Sequence, residues 1–369
     1  TPGLRWSNQN FIYDLQHLYN TRVNEVGIQR VWQAIQETLD EHNRVVNALM
    51  DTFVERTTVA QEQIELPGSG TLQPIGEDGN PIPVAPSGSY QVAYPIQGGA
   101  TAWGDNRVSR QLMTVQEAAR NTQDALLKDR DWMFRHIMAG LFDNATWTYT
   151  DKTGAGGTKG LGSITIQPLA NGDSVTYLRR GGSQSADTHH LAQANAIDNS
   201  NNPFPTIRTE LIEHPSNNGP FVAYIPTNLV STVTALTEFV EADDPDIRYG
   251  ADNDTLPVVQ QRVLGFGDEV LGKTKSSNIW IVEATRLPDS YLIATALGSN
   301  MKVLKMREYP TAALQGFFME NFTPDGNHAE TRMIRYAGFG VSNRVGAVVM
   351  RIGNGSYAIP SGYDAPLAV

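Results

Sequence analysis

Residues 267–274, from Gly267 to Thr274, match the pattern of a phosphate-binding loop, Gly-x-x-x-x-Gly-Lys-Thr. That pattern binds phosphate because glycine-rich backbone amides and a lysine surround the anion at the N-terminus of a helix. Here the following residues are polar and then apolar over 279–282, which predicts a strand where the motif needs a helix. Asp268 and Glu269 would also place negative charge beside the phosphate. We favour a turn between strands, and a phosphate-loop nucleotide-binding enzyme is kept as the alternative.

A second candidate is a group of six acidic residues, which could supply the oxygen ligands that Ca²⁺ prefers. The group does not have the spacing of an EF-hand, because the third ligand position counted from Asp244 is Arg248. We therefore expect a solvated acidic loop near the end of a helix. The six residues are Glu241, Asp243, Asp244, Asp246, Asp252 and Asp254.

The histidines are candidates for metal ligands or catalytic bases. His189 and His190 are adjacent, whereas a zinc protease helix needs two histidines four residues apart with a glutamate. They are predicted to be a surface pair, and His136 is predicted to pack or be partly exposed on a helix. No Gly-x-Ser-x-Gly elbow marks a hydrolase nucleophile. The sequence thus predicts no catalytic residue, no cofactor and no metal ligand, and a protein that is not an enzyme.

Composition excludes several classes of protein. The 369 residues carry a net charge of -11, which disfavours a broad nucleic-acid-binding face because such faces need clustered Lys and Arg. The absence of cysteine excludes disulfide scaffolds and thiolate metal sites. No apolar run approaches the roughly 18 residues of a membrane span. We expect a soluble chain made in the cytoplasm.

A long polar hairpin stands out between residues 57 and 103. Its legs, residues 57–66 and 89–103, flank a Gly- and Pro-rich tip that contains the turn dipeptide Asp78-Gly79. Only one face of the first leg is even partly apolar, and an isolated two-stranded hairpin is at best marginally stable in water. We therefore predict that this arm lies on a neighbouring subunit.

Two long helices accompany the arm. Apolar residues at three- and four-residue spacing predict a helix over about residues 25–53. After the arm, Thr114 and Glu117 form a capping box, which places the start of the second helix at Val115. Its buried stripe continues to residue 141 or 142, so the helix is about 40 Å long.

The remainder mixes short strands and helices. Its predicted elements are a hairpin of residues 163–167 and 174–179 turning at Asn171-Gly172, a strand at 221–225, a helix from Pro226-Thr227, strands at 279–283 and 291–297, and strands at 332–339 and 344–352. Because helices and strands are segregated rather than alternating, the predicted fold class is α+β.

This order of parts resembles the major capsid proteins of tailed bacteriophages, whose Hong Kong 97-type fold is shared with encapsulins. The segments that carry the resemblance are residues 154–161 after the long helix, 223–228, 279–297 and, most strongly, 335–341 followed by a last long strand. The resemblance implies an N-terminal arm, an extended β-hairpin loop (E-loop), a long spine helix, a peripheral (P) domain and an axial (A) domain. The implied ranges are 1–26 for the arm, 27–56 for a helix of the arm and P-domain, 57–110 for the E-loop, 111–215 for the P-domain with spine helix 114–142, 216–305 for the A-domain, and 306–369 for the return to the P-domain.

The resemblance also implies a function. Many copies would assemble as hexamers and pentamers into an icosahedral shell in the virion that encloses double-stranded DNA without sequence-specific binding, after assembly in the host cytoplasm and with scaffolding, portal and cement or decoration proteins as further partners. An encapsulin-like cellular nanocompartment is the alternative within the fold. Some relatives weld subunits through a lysine on the extended loop, but residues 57–103 contain no lysine. Four aromatic residues on arms with little local core are predicted to contact neighbouring subunits, namely Trp6, Tyr90, Tyr94 and Trp103.

Overall fold

A computed structural model describes residues 11–68, 88–106, 112–151, 162–242, 269–322 and 328–367. Within these ranges no helix combines the length and the apolar content needed to cross a membrane. In the described part of the chain, a 3-10 helix at Ile12–Leu18 precedes five α-helices: α1 (Val23–Val26), α2 (Ile28–Met50), α3 (Val115–Phe142), α4 (Phe204–Ile212) and α5 (Thr227–Thr234).

Eighteen strands lie within the described residues. They are β1 (Val54–Thr57), β2 (Gln61–Leu66), β3 (Gly88–Ala93), β4 (Gln97–Asn106), β5 (Trp147–Asp151), β6 (Gly162–Ile166), β7 (Tyr177–Leu178), β8 (Gln184–Ser185), β9 (His190–Gln193), β10 (Phe221–Ile225), β11 (Phe239–Glu241), β12 (Glu269–Thr274), β13 (Ile279–Glu283), β14 (Tyr291–Ala296), β15 (Leu304–Arg307), β16 (Phe317–Phe322), β17 (His328–Val341) and β18 (Ala347–Ile352). A second 3-10 helix lies at Ala312–Leu314.

The long helix α3 begins where its cap residues dictate. The Thr114 hydroxyl accepts a hydrogen bond from the Glu117 amide, and the Glu117 carboxylate accepts one from the Thr114 amide. These reciprocal bonds satisfy amides that have no partner within the helix. The predicted start at Val115 and the extent to Phe142 are confirmed. The first long helix is shorter than predicted: it is interrupted at Gly27, whose φ of 102° is outside the helical range.

One sheet is organised around the long strand β17. The first half of β17 lies between β16 and β4, and its last four residues pair with β15, which in turn pairs with β1. The predicted second leg of the arm is therefore divided, because β3 pairs with β2 whereas β4 joins the sheet of β17. The chain changes partner between Ala93 and Gln97.

The second sheet has seven strands in the order β11, β12, β13, β10, β14, β18, β9. Its central strand β10 is buried on both faces. Val222 and Tyr224 pack towards α3, whereas Ala223 and Ile225 pack with residues of α4 and α5. The strands predicted at 279–283 and 291–297 exist, but β10 lies between them. Strands β9 and β18 complete this sheet but lie outside the predicted unit 216–305, which contributes the other strands.

The hairpin predicted over residues 163–179 is wrong. Strand β6 pairs with β5 instead, and β7 pairs with β8. Gly172 does turn the chain, with a φ of 80°, but the neighbouring Asn171 forms a bridge with Thr188 rather than closing a hairpin. The turn predicted at residues 171–172 exists, but the strands on either side of it are not the ones predicted.

Candidate functional site

The ribbon formed by β2 and β3 lies on its own chain along the described length of its legs. Tyr90, Val92 and Tyr94 are 8%, 0% and 0% exposed, and they belong to one buried cluster with Tyr177 and Val345. The opposite face of the ribbon is polar and exposed, as the alternating burial of both strands shows. The ribbon therefore has an inner apolar face that its own molecule covers, and an outer polar face that it leaves open.

Arg344 fixes the surface on which the ribbon rests. This buried arginine donates hydrogen bonds to the Pro168 carbonyl at 2.8 Å and the Asp173 carboxylate at 2.7 Å, and its guanidinium lies 5.8 Å from the centre of the Tyr90 ring. The Tyr90 hydroxyl donates to the Ser342 carbonyl at 3.2 Å. Burial raises the pKa of Tyr90 to about 12, so this hydroxyl keeps its proton and remains a donor.

The four residues predicted to contact neighbours have different outcomes. The premise that Tyr90 and Tyr94 sit on an arm with little local core is wrong, because both are buried in the chain itself. In this conformation neither side chain is accessible to another subunit. Trp103 lies on β4 opposite Thr331 and is half-buried beside the start of α3. Trp6 lies outside the described residues, so its contact and that of Trp103 stay predictions.

Two glycines in β17 make room for the segment that joins β3 to β4. A Cβ atom on Gly338 would lie 1.0 Å from the Pro95 carbonyl oxygen, and one on Gly340 would lie 2.4 Å from the Ala93 carbonyl oxygen. The segment that joins β3 to β4 therefore crosses β17 at backbone contact, which a side chain would prevent. These glycines belong to the segment 335–341 that carried most of the resemblance.

Arg335, at the other end of that segment, is held by a buried ion pair. Its Nε and Nη2 donate to the two carboxylate oxygens of Asp129 at 2.6 and 2.7 Å, and both side chains are 2% exposed. His42 on α2 lies 2.8 Å from Asp129, and Asn43 accepts a further bond from Arg335. Burial alone would raise the pKa of Asp129, but hydrogen bonds from His42 and Arg335 outweigh it and lower that pKa. The network joins α2, α3 and β17.

The predicted surface pair His189-His190 is wrong, since both side chains are buried. The His190 Nε2 atom lies 3.0 Å from the Leu141 carbonyl at the end of α3. His189 faces Asp187 and His214, and the nearest nitrogen or oxygen atoms of these three side chains lie within 4.8 Å of one another. Local sequence patterns do not indicate this buried cluster, because His214 is distant in sequence from the other two residues. The Asp187-Thr188-His189 spacing, which puts two ligand types on one face of an extended segment, was the available signal.

The phosphate-loop pattern does not form a phosphate loop in its described part. Residues Glu269–Thr274 are strand β12, paired with β11 on one side and β13 on the other, and a turn leads on to β13. The Lys273 ammonium lies 5.4 Å from the centre of the Trp280 ring, and a Cβ on Gly272 would lie 2.0 Å from the Val240 carbonyl oxygen. In the described part of the motif the lysine lies against Trp280, and a strand and turn stand where a phosphate loop needs a helix, so the turn between strands that the sequence favours fits better than a phosphate loop. Gly267 and Asp268 lie outside the described residues, as do the acidic residues from Asp243 to Asp254.

The comparisons with known proteins concern structure alone, since no family model and no curated protein matches the chain. A solved chain of Mycobacterium phage Patience matches with a TM-score of 0.65 at 19% identity over 100% of both chains. The mature capsid of bacteriophage PhiM1 matches with a TM-score of 0.48 at 9% identity, over 81% of this chain and 84% of that one. The capsid of an empty GTA particle matches with a TM-score of 0.49 at 10% identity, over 83% and 90%. The full-length match to the Patience chain shows that this protein has the same fold, the α+β Hong Kong 97-type fold that its sequence predicted.

Proposed function

We propose that this chain is a major capsid protein of a tailed bacteriophage, which self-assembles into hexamers and pentamers that form an icosahedral head around double-stranded DNA. The observation that carries the proposal is the likeness in fold to the Mycobacterium phage Patience chain over all of both chains. Because the match spans all of both chains, it is not limited to one part of the fold. Fold alone does not fix function, so the proposal needs its own test.

In this proposal the ribbon tip, rather than its legs, reaches a neighbour. The apolar faces of β2 and β3 are already covered by the chain itself, and the outer face carries exposed Gln61, Gln63 and Gln91. Contacts between subunits would then involve residues 69–87, the polar outer face and the N-terminal arm, with Trp6 and Trp103 as aromatic contacts. Closed symmetry repeats each modest contact many times, so none has to be strong by itself.

The proposed shell is held together without covalent welding from the ribbon. Residues 57–103 contain no lysine, so an isopeptide bond cannot start there. Non-covalent burial, arm contacts or a separate cement protein would hold the subunits. Boiled particles should migrate as single chains on a denaturing gel, and a ladder of covalent multimers would contradict this part of the proposal.

The remaining roles follow from the same proposal. The protein is structural rather than catalytic, it resides in the virion, and it is assembled in the host cytoplasm with scaffolding, portal and decoration proteins as partners. The net charge of -11 supports a lining that does not grip DNA, because a head that must release its genome should not bind it tightly. The division into arm, E-loop, P-domain and A-domain is proposed with the ranges given above.

The decisive experiment tests assembly of the purified chain by size-exclusion chromatography and negative-stain microscopy. We expect closed particles of uniform size, and elution as a small oligomer under every assembly condition would overturn the proposal. Particles recovered from phage-infected cells should protect DNA from nuclease. Particles that enclose protein cargo and no DNA would instead indicate an encapsulin-like container.

A ribbon variant sharpens this test. Leu66 and Gly88 are opposite each other in the β2–β3 register, so an Asn-Gly turn can replace residues 67–87 and close the hairpin. We expect this variant to fold and melt like the parent chain but not to assemble. A control in which a Gly/Ser segment of the same length replaces residues 67–87 separates the loss of reach from the loss of specific contacts. Normal particles from the shortened variant would show that the ribbon tip does not join subunits.

A further inference from the structure

Asp187, His189 and His214 bring three potential ligands together inside the protein. Asp187 and His189 lie between β8 and β9, and His214 follows the end of α4. Their side chains are 4%, 0% and 2% exposed. Buried ionisable groups are costly unless they are paired or bind a metal ion, so an ion pair, a shared proton or a metal ion has to stabilise this convergence.

Backbone contacts fix which nitrogen of each histidine carries the proton. The Nδ1 atom of His189 lies 2.8 Å from the Ala347 carbonyl oxygen, and the Nδ1 atom of His214 lies 3.2 Å from the Leu178 carbonyl oxygen. A carbonyl oxygen only accepts, so both Nδ1 atoms must donate. In the neutral rings both Nε2 atoms are then unprotonated. This is the arrangement in which metal-binding histidines are oriented by a carbonyl on the other nitrogen.

The two Nε2 atoms point at each other and at one carboxylate oxygen. They are 3.2 Å apart, and Asp187 Oδ2 lies 2.9 Å from His214 Nε2 and 3.8 Å from His189 Nε2. Three acceptors at these distances repel one another unless a metal cation or a proton lies between them. Zinc bonds of 2.0–2.1 Å in a tetrahedron place neighbouring ligand atoms about 3.3 Å apart. The three distances between ligand atoms, 2.9, 3.2 and 3.8 Å, lie on either side of that value.

A further carboxylate lies at the edge of this cluster. Glu213 Oε1 is a buried oxygen 3.6 Å from His214 Nε2, and Glu213 groups with Asp187 rather than with both histidines. The other oxygen of Glu213 accepts from Arg179 at 2.8 Å, and the same guanidinium lies 3.4 Å from Asp187. Arg179 thus orients both carboxylates and neutralises one of their two charges. The remaining negative charge favours a divalent cation here.

We propose that Asp187, His189 and His214, completed by a shift of the Glu213 side chain towards them, form a structural site for a four-coordinate divalent transition metal, with Zn²⁺ as the ion. Two imidazoles and two carboxylates, all buried or nearly so, are a ligand set that suits zinc and not magnesium, which prefers oxygen ligands and retained waters. The ion would fasten the end of α4 to the segment before β9, and through the Ala347 and Leu178 carbonyls to β18 and β7. The site is distinct from the ribbon and from the proposed assembly surfaces.

The test is zinc binding by the full-length chain after removal of metals with a chelator. We expect one zinc ion per chain by elemental analysis after reloading and dialysis near neutral pH, and a higher melting temperature with Zn²⁺ but not with Mg²⁺. His214→Gln and Asp187→Asn should each lose at least about tenfold in zinc affinity. His17→Gln is the matched control, because His17 is exposed, and it should bind like the parent chain.

A measurement on the unmodified chain covers the case in which a variant does not fold. Cobalt(II) in place of zinc should give the visible absorption of a four-coordinate site, and zinc should displace it stoichiometrically. Failure of the metal-free chain to take up zinc would overturn the proposal, and a shared proton would then account for the cluster. Equal zinc affinity in His214→Gln and His17→Gln would overturn it as well. Neither result depends on whether the chain forms a shell.

Discussion

Replacing Asp129 with alanine should destabilise the subunit more than any change at an exposed acidic residue of α3. The substitution removes both oxygens that pair with Arg335 and the partner of His42. The Arg335 side chain is 2% exposed, and among the described residues only the Asn43 side-chain oxygen would still accept one of its protons. Removing one member of a buried ion pair costs about 3–5 kcal/mol, because the other charge stays buried without compensation.

The same helix offers a matched control. Asp124 pairs with Lys128 one turn later, but these side chains are 60% and 58% exposed. Such exposed pairs contribute about 0.5 kcal/mol or less, so Asp124→Ala should change the free energy of unfolding very little. Urea unfolding of the unassembled chain, followed by the fluorescence of its six tryptophans, measures both variants on one scale.

A double variant tests the physical reason for the loss. Asp129→Leu combined with Arg335→Met removes both charges, so it should be more stable than Asp129→Ala although it changes more atoms. The reasoning would be refuted by a cost of Asp129→Ala below about 1 kcal/mol, or by a double variant less stable than the single one. The first result would mean that water or a rearranged side chain stabilises the orphaned Arg335.

Three further predictions concern the same subunit. Burial lowers the pKa of His136 to about 4, whereas an unfolded histidine titrates near 6.5. The stability that the neutral ring contributes is therefore complete above pH 6.5, and up to about 3 kcal/mol of it is lost as the pH falls towards 4. His136→Gln should make the melting temperature less dependent on pH over this interval, and an unchanged dependence would assign it to other groups. Gly338→Ala should prevent folding because its Cβ would overlap the Pro95 carbonyl, while Gly355→Ala, whose nearest contact is 3.8 Å away, should express and melt normally. Thr114→Ala should cost about 1 kcal/mol in urea unfolding through loss of the α3 cap, and a negligible cost would show that packing alone fixes the start of that helix.

Elements whose signals are local were predictable from the sequence. The start of α3 depends on Thr114 and Glu117, three residues apart, and the structure contains the bonds that this spacing predicts. Strands β13 and β14 were also recognised, but β10 lies between them and this could not be seen. Strand identity depends on composition within a few residues, whereas strand order depends on contacts between segments far apart in sequence.

The same distinction explains the errors about sites. Tyr90 was assigned to an unsupported arm because the residues that bury it, such as Tyr177 and Val345, follow much later in the chain. His189 was assigned to the surface because its partners include His214 and the Ala347 carbonyl. The apolar residues within a strand indicate how much apolar surface the strand itself offers. They do not indicate which distant segments of the chain pack against that surface. The sequence therefore identified the ribbon correctly and misjudged what lies beneath it.

The segment from Arg335 to Val341 explains how the ribbon can be both anchored and extended. Arg335 attaches β17 to α3 through Asp129, and Gly338 and Gly340 admit the chain that connects β3 to β4. The base of the ribbon is consequently held by a buried ion pair, by backbone contact and by β4 pairing along ten residues of β17. This support at the base makes the direction of the described legs a property of the subunit rather than of its neighbours. If the chain builds a shell as proposed, the angle at which the ribbon leaves the subunit at Leu66 and Gly88 is set before subunits meet, and Gly338→Ala should abolish assembly by preventing the subunit from folding.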